Sequence, residues 1–115
     1  MCGVAGFFYF GGEAPEGAGE PLRRMSALMA HRGPDGEGFF MGDGVGLAHR
    51  RLAIIDLQTG AQPMASPDNR LHVVYNGEIY NFRELRAQLT EYPYQTQSDT
   101  EVLLHLWEEY GRDCL

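Results

Sequence analysis

The chain opens with Met1-Cys2, followed at residues 3–10 by the apolar, aromatic-rich run GVAGFFYF. Gly11-Gly12 closes this run. A short apolar run bounded by a turn signal is typical of a buried β-strand. The pattern therefore predicts a fold that begins with a buried strand almost at the first residue, with a cysteine directly before it.

The rest of the chain has the composition of one ordinary globular domain. Its 115 residues are 43% hydrophobic and 22% charged, which favours a single domain with a core over a disordered chain. The 15 glycines follow no regular period, so a collagen-like repeat is excluded. They indicate turns and loops that need special backbone conformations.

Hydrophobic periodicity and turn signals predict helices inserted between strands. Such an order favours the α+β class over a regular βαβ alternation. Apolar helix faces are predicted at Leu22, Met25, Leu28 and Met29, and at Leu103, Leu106, Trp107 and Tyr110. The predicted strands are 38–41 and 45–49 around a hairpin turn at 42–44, then 52–57 and 71–75, while 92–96 is predicted to be a short strand or an extended piece. The predicted helices are 21–30, 81–89 and 98–111, and 59–69 is a loop. Asn81 is the predicted N-cap of the second helix, Ser98 and Glu101 form a predicted capping box at the start of the third, and Gly111 is its predicted end.

Charge and residue usage exclude several function classes. The net charge of −7 and pI near 4.9 disfavour nucleic-acid binding. All nine basic residues are arginine, so the sequence excludes a P-loop lysine or Schiff-base lysine. No apolar run reaches the roughly 18 residues of a membrane span, and no spacing resembles a zinc site. Cys2 and Cys114 form no disulfide framework, so we expect a protein of the reducing cytoplasm.

Cys2 is the sharpest candidate for chemistry. Removal of Met1 would leave one residue carrying both a thiol nucleophile and an α-amino base that titrates near neutral pH. The alternative is an inert cysteine buried in the first strand, because buried free cysteines are common.

Asn76-Gly77 and Arg50-Arg51 each allow two interpretations. Asn-Gly after an apolar strand is a turn signal, or it supplies a side-chain amide and a backbone N–H to an oxyanion hole. An arginine at a strand end forms a surface ion pair, or it binds a carboxylate with two parallel hydrogen bonds.

Four further polar residues carry weaker signals. Asp99 lies in the first turn of the last predicted helix, where it complements the helix dipole or binds a substrate ammonium. Glu78 is either solvated or bound to the same ammonium. His31 and His49 are candidate bases, but structural roles are favoured for both because no nucleophile accompanies them in sequence.

Six segments together carry a family resemblance. They closely resemble the glutamine-hydrolysing domain of asparagine synthetases, a class II glutamine amidotransferase family with an N-terminal cysteine nucleophile. Each segment alone is weak, whereas six in a fixed order across almost the whole chain are highly specific. They are MCGVAGFF at 1–8, HRGPDGEG at 31–38, HRRLAIIDL at 49–57, GAQPM at 60–64, NGEIYNFREL at 76–85 and SDTEVLLHLWEEYG at 98–111.

The resemblance implies a role for each candidate. Cys2, exposed by loss of Met1, corresponds to the nucleophile that attacks the side-chain amide of L-glutamine, with its own α-amino group as general base. Asn76 and Gly77 correspond to the oxyanion-hole pair. The implied glutamine-binding residues are Arg51 for the α-carboxylate, Leu52, Ile54 and Ile55 for the strand that lines the pocket, and Glu78 and Asp99 for the α-ammonium.

The resemblance also implies a fold and a partner domain. The family fold is the N-terminal-nucleophile (Ntn) hydrolase four-layer α-β-β-α sandwich, which is longer than this chain. Residues 1–115 are therefore expected to be a partial glutaminase domain of a larger cytoplasmic protein. The implied reaction forms glutamate and ammonia through a γ-glutamyl thioester. An ATP-dependent synthetase domain of the same polypeptide would use the ammonia, with ATP and magnesium bound there and no cofactor or metal in this chain.

One stretch departs from the family pattern. Tyr94 replaces a family phenylalanine and a nearby glycine is missing, which predicts a small loop difference.

Two other functions are alternatives to this interpretation. A partial domain could instead be an inactive fragment or a non-catalytic scaffold, because apolar sheet faces would remain exposed. A papain-like hydrolase with a histidine base fits poorly, since no helix-forming segment surrounds Cys2.

Overall fold

A computed structural model describes residues 1–52 and 60–115. Helices and strands both occur, so the predicted mixed α and β composition is confirmed. The elements are β1 (Gly3–Phe8), α1 (Gly19–Leu28), β2 (Gly36–Gly42), β3 (Val45–Arg51), β4 (Met64–Ala65), β5 (His72–Val73), α2 (Phe82–Gln88), α3 (Asp99–Tyr110) and a final 3-10 turn (Gly111–Cys114). Among the described residues, no helix is long and apolar enough to cross a membrane.

The described residues divide into two compact units. The first unit contains residues 1–52, 61–63 and 74–76, and the second contains residue 60 together with 64–73 and 77–115. The predicted strand at 52–57 falls mostly at residues 53–59, which lie outside the described residues.

The first unit is built on a three-stranded antiparallel sheet in the order β1-β3-β2. β2 and β3 form the predicted hairpin, with Gly42 opposite Val45 and the turn at Asp43 and Gly44. The chain start pairs with the other side of β3, in a register that sets Gly3 opposite Arg50 and Phe8 opposite Val45. This topology makes β3 the central strand of the sheet.

The prediction that the first strand is buried is wrong for most of its length. Within β1 only Gly3 is buried, whereas Val4 is 42% and Phe8 59% exposed. β1 lies at an edge of the described sheet. The end of α1 covers it near Gly3, where an added Cβ would lie 3.0 Å from Met29 Sδ.

Helix α1 begins two residues before the predicted Pro21 and ends at Leu28. Its predicted apolar face is only partly correct. Leu22 is buried, but Met25 is exposed, Leu28 is 78% exposed and the second buried residue is Ser26. The reason is a polar contact: Arg50 from β3 donates to the Ser26 carbonyl and hydroxyl at 3.1 and 3.0 Å, drawing this side of the helix onto the sheet.

The second unit is held together by helix α3. Its N-terminus follows the predicted cap, because Ser98 Oγ accepts from the Thr100 N–H, and it ends before Gly111 as predicted. The core of the second unit contains Leu89, Val102 and Leu106. The predicted apolar face of α3 is wrong at Trp107 and Tyr110, because both side chains are exposed.

Glu101 explains why residues 92–96 do not form a strand, which was one of the two alternatives predicted for them. Its carboxylate accepts hydrogen bonds from the Gln95 and Thr96 N–H groups at 2.7 Å each and also from the Thr96 hydroxyl. These donors would serve a strand ladder, so the segment is a loop. Glu101 thus binds the preceding loop instead of completing a capping box with Ser98.

The other predictions in this unit are partly confirmed. Helix α2 covers Phe82–Gln88, close to the predicted 81–89, although Asn81 makes no side-chain cap hydrogen bond. The predicted loop at 59–69 contains the two residues of β4, and the predicted strand at 71–75 shrinks to β5. These two short strands pair with Met64 opposite Val73.

Gly38 lets the segment 61–63 pack on the first sheet. Gly38 is opposite His49 in the sheet, and a Cβ built on it would overlap the backbone carbonyl of Gln62. Because the obstacle is backbone rather than a flexible side chain, the segment would have to move to admit a methyl group.

We therefore predict that Gly38→Ala destabilises the fold. Overpacking of this kind costs about 1–3 kcal/mol in the free energy of unfolding. Gly11→Ala is the matched control, since a Cβ there meets nothing within 4 Å, and its effect should stay within about 0.5 kcal/mol. Urea unfolding followed by circular dichroism measures both values. Equal midpoints for the two variants would contradict the packing described.

Candidate active site

Cys2 is fixed by the end of strand β3. Its Sγ accepts a hydrogen bond from the Leu52 N–H at 3.3 Å, and the thiol lies 3.5 Å from the Leu52 carbonyl oxygen. Cys2 immediately precedes β1 and Leu52 immediately follows β3, so the side-chain contact continues the antiparallel pairing of the two strands. The thiol is half-buried and Met1 is exposed. The strand pairing thus determines where the nucleophile candidate lies.

The two arginines at the end of β3 have different surroundings. Arg50 Nη2 pairs with Glu37 at 2.7 Å and its Nε contacts Ser26, so Arg50 makes the structural ion pair that the sequence allowed for either residue. Successive residues of a strand point to opposite faces of the sheet. Arg51 therefore lies on the other face, which by the same alternation is the face of His49 and Cys2.

The backbone of Arg51 is fixed by the segment 33–35. The Asp35 N–H donates to the Arg51 carbonyl at 2.9 Å, and Pro34 bridges Arg51 in parallel. Gly33 allows this approach, because a Cβ there would lie 2.6 Å from the Arg51 nitrogen. The motif HRGPDGEG thus contributes a close backbone contact that holds the carboxylate-binding candidate in place.

The remaining glutamine-binding candidates are distributed as follows. Leu52 is half-buried beside Cys2, whereas Ile54 and Ile55 lie outside the described residues. Glu78 is exposed on the segment between β5 and α2. Asp99 is the first residue of α3 and is only 6% exposed. Its carboxylate accepts the Ile79 N–H at 2.9 Å, so besides complementing the helix dipole it fixes the end of the NGEI segment.

Asn76 and Gly77 are both exposed, with a bend at Gly77. The N–H of the preceding residue, Tyr75, donates to Gln62 Oε1 at 2.6 Å. The sequence offered no signal for Gln62 beyond its place in GAQPM, since a glutamine beside proline in a loop resembles any solvated polar residue.

Of the two histidine candidates, His31 is exposed and His49 is 1% exposed. Burial lowers the pKa of His49 below its usual value. A backbone hydrogen bond with Tyr75 raises this pKa, and the nearby charge of Arg51 lowers it. A neutral, buried imidazole fits the structural role favoured from the sequence. Within the described ranges, no three His, Cys, Asp or Glu side chains are grouped so that they could hold a metal ion.

Comparison with known proteins identifies the family. A family model described as a glutamine amidotransferase domain matches residues 1–115. Asparagine synthetase [glutamine-hydrolyzing] 1 of Bacillus subtilis is 42% identical over 117 residues, which cover 99% of this chain and 18% of that protein. Asparagine synthetase B [glutamine-hydrolyzing] of Escherichia coli is 42% identical over 116 residues, which cover 100% of this chain and 21% of that protein.

A plant relative gives the same picture. Asparagine synthetase [glutamine-hydrolyzing] 1 of Arabidopsis thaliana is 41% identical over 115 residues, which cover 98% of this chain and 19% of that protein. The chain therefore spans about a fifth of the length of these curated relatives. The resemblance carried by the six ordered segments is confirmed, and the chain belongs to the glutamine amidotransferase domain family.

Proposed function

We propose that this domain hydrolyses L-glutamine to glutamate and ammonia, with Cys2 as the nucleophile. The observation that carries the proposal is the position of Cys2, whose thiol is held on the Leu52 backbone at the end of β3, next to Arg51. A nucleophile and a carboxylate-binding cation on one edge of one sheet suit an amino-acid substrate. The family match over the whole chain supports the same activity.

The proposed chemistry proceeds in two balanced steps after removal of Met1. The Cys2 sulfur attacks the side-chain amide carbon of glutamine, forming a C–S bond while its proton passes through the α-amino group to the leaving nitrogen. The C–N bond breaks, ammonia leaves and a γ-glutamyl thioester remains. Water then adds to the thioester carbon, the C–S bond breaks, and glutamate and the free thiol are released.

Both steps build negative charge on the same amide oxygen. We assign its stabilisation to the Asn76 side-chain amide and the Gly77 backbone N–H, which are donors of the kind an oxyanion hole needs. Their exposure leaves them accessible to a substrate. Such donors contribute most when they are preorganised, so the segment that carries them must be held in place.

The α-amino-acid end of glutamine needs one cation and at least one anion. Arg51 is proposed for the α-carboxylate, and Glu78 and Asp99 for the α-ammonium. Leu52, Ile54 and Ile55 are proposed to line the pocket. The low exposure of Asp99 supports its role, because a charge interaction is strengthened where water is excluded.

We further propose that the domain belongs to an asparagine-synthetase-type enzyme of the Ntn hydrolase fold, with a four-layer α-β-β-α sandwich. In that enzyme, ammonia passes to an ATP-dependent synthetase domain of the same polypeptide, where ATP and magnesium bind. The names and lengths of the relatives support this assignment.

Replacement of the nucleophile tests the proposal directly. In the purified full-length protein, Cys2→Ala should lower glutamine-dependent release of ammonia at least about a thousandfold, because no other group can form the thioester. Cys114→Ala is the matched control, since Cys114 lies in the final 3-10 turn, and it should retain the rate within about twofold. Full activity of Cys2→Ala would refute the proposal and favour a non-catalytic role.

Arg51→Lys tests substrate recognition separately from chemistry. Lysine keeps the charge but cannot offer the two parallel N–H donors of a guanidinium. The KM for glutamine should rise roughly 10- to 100-fold, as expected for loss of a charged hydrogen bond, while kcat stays within about threefold. Arg112→Lys, at an exposed position, should change neither constant. An unchanged KM in Arg51→Lys would remove Arg51 from the proposed site.

A further inference from the structure

We propose that Thr96 and Glu101 are positioning residues that hold Asp99 where it binds the α-ammonium of glutamine. The inference rests on the proposed glutaminase function, in which Asp99 supplies an anion for the amino-acid end of the substrate. It adds two residues that touch neither the substrate nor the reacting atoms. All three residues belong to the second unit.

Asp99 is the first residue of helix α3, where a side chain needs support from outside the helix ladder. The first N–H groups of a helix lack intrahelical partners, so caps and neighbouring side chains hold the first turn. The Asp99 side chain is almost buried, and its Oδ2 accepts the Ile79 N–H at 2.9 Å. A carboxylate accepts up to about four hydrogen bonds, so this contact is compatible with a substrate ammonium at the same group.

Glu101 closes the chain around Asp99. Its Oε2 accepts the Thr96 N–H at 2.7 Å and the Thr96 hydroxyl at 2.5 Å, and its Oε1 accepts the Gln95 N–H at 2.7 Å. The two bonds to Thr96 join the ends of the segment 96–101 into a ring that contains Asp99. Closing a short segment removes backbone freedom from the residues within it. Glu101 is buried, so water competes little for these bonds.

The Thr96 hydroxyl extends this ring to the residue before Asp99. While it donates to Glu101, it accepts the Ser98 N–H at 3.1 Å. Ser98 Oγ in turn accepts the Thr100 N–H at 3.2 Å. Both chain neighbours of Asp99 are therefore fixed by hydrogen bonds, and a single hydroxyl connects them to Glu101.

Helix α2 anchors the same ring from outside. Arg86 Nη1 donates to the Thr96 carbonyl at 2.7 Å, and the Arg86 guanidinium carbon lies 3.9 Å from the centre of the Tyr94 ring. The N–H, the carbonyl and the hydroxyl of Thr96 all make hydrogen bonds. The ring is thereby tied to α2, and the position of Asp99 is determined with it.

This role predicts an effect on binding rather than on the chemical step. In glutamine, methylene groups separate the α-ammonium from the side-chain amide carbon, and the ammonium keeps its charge through both steps. Its interaction with Asp99 therefore stabilises the bound substrate and the transition state equally, and loss of that interaction raises KM while kcat is kept.

The test is steady-state glutamine hydrolysis by the purified full-length protein. Thr96→Val has nearly the same shape but lacks the hydroxyl, and it should raise KM about 3- to 10-fold with kcat within about twofold. Thr96→Ser keeps the hydroxyl and should recover KM to within about twofold of the wild type. Thr90→Val, the same change at an exposed threonine, is the control and should alter neither constant. Glu101→Gln loses one acceptor oxygen and should raise KM about 10-fold.

A double mutant separates positioning from a general structural role. Asp99→Asn removes the proposed anion with little change in size and should itself raise KM. In that background Thr96→Val should lower kcat/KM less than about twofold further, because both changes act on the same ammonium contact. A merely structural loss would multiply with Asp99→Asn instead. If Glu101→Gln does not fold, the Thr96 variants decide alone.

The outcomes keep this inference apart from the proposed function. If Cys2→Ala retains activity, the proposed function fails and this inference with it. If Cys2→Ala is inactive but Thr96→Val leaves KM unchanged, lowers kcat instead, or multiplies with Asp99→Asn, only the positioning role is overturned. A wild-type KM in Asp99→Asn would remove Asp99 from the ammonium site and overturn the inference, while the chemistry of Cys2 would stand.

Discussion

Antiparallel pairing between the first residues of the chain and the central strand β3 is the interaction on which the candidate site depends. The register runs from Gly3 opposite Arg50 to Phe8 opposite Val45, and the Cys2 thiol extends it by one contact to the Leu52 backbone. A residue near a chain terminus is usually mobile unless it is tied into a sheet. Here the ladder specifies one position for the nucleophile candidate, and a one-residue slip would move it to the opposite face from Arg51.

The segment 74–79 carries the proposed oxyanion residues and one of the proposed ammonium-binding residues. Side chains bind two of its backbone N–H groups. In the first unit, Gln62 Oε1 accepts the Tyr75 N–H; in the second unit, the Asp99 carboxylate accepts the Ile79 N–H. Asn76, Gly77 and Glu78 are exposed.

Short sequence patterns correctly predicted the elements that depend on contacts between residues close in the chain. The β2–β3 hairpin, the Ser98 cap and the end of α3 at Gly111 depend on turn and cap chemistry within a few residues, and all three occur as predicted. The predictions that were wrong depend on polar side-chain contacts that hydrophobic periodicity does not report. Arg50 draws Ser26 rather than Met25 and Leu28 onto the sheet, and Glu101 takes the N–H groups that a strand at 92–96 would have used. For the site, the ordered motifs predicted the family, but the hydrogen bond between Gln62 and the Tyr75 N–H depends on the fold bringing these two residues together.

The central claim is that the sheet end around Leu52 and Arg51 presents Cys2 as a nucleophile toward glutamine. The most direct measurement is the intact mass and peptide map of the purified full-length protein after reaction with 6-diazo-5-oxo-L-norleucine, an electrophilic glutamine analogue. We expect loss of Met1 and a single adduct on Cys2, formed more slowly in the presence of glutamine. Retention of Met1, or an adduct on Cys114 that glutamine does not suppress, would contradict this claim.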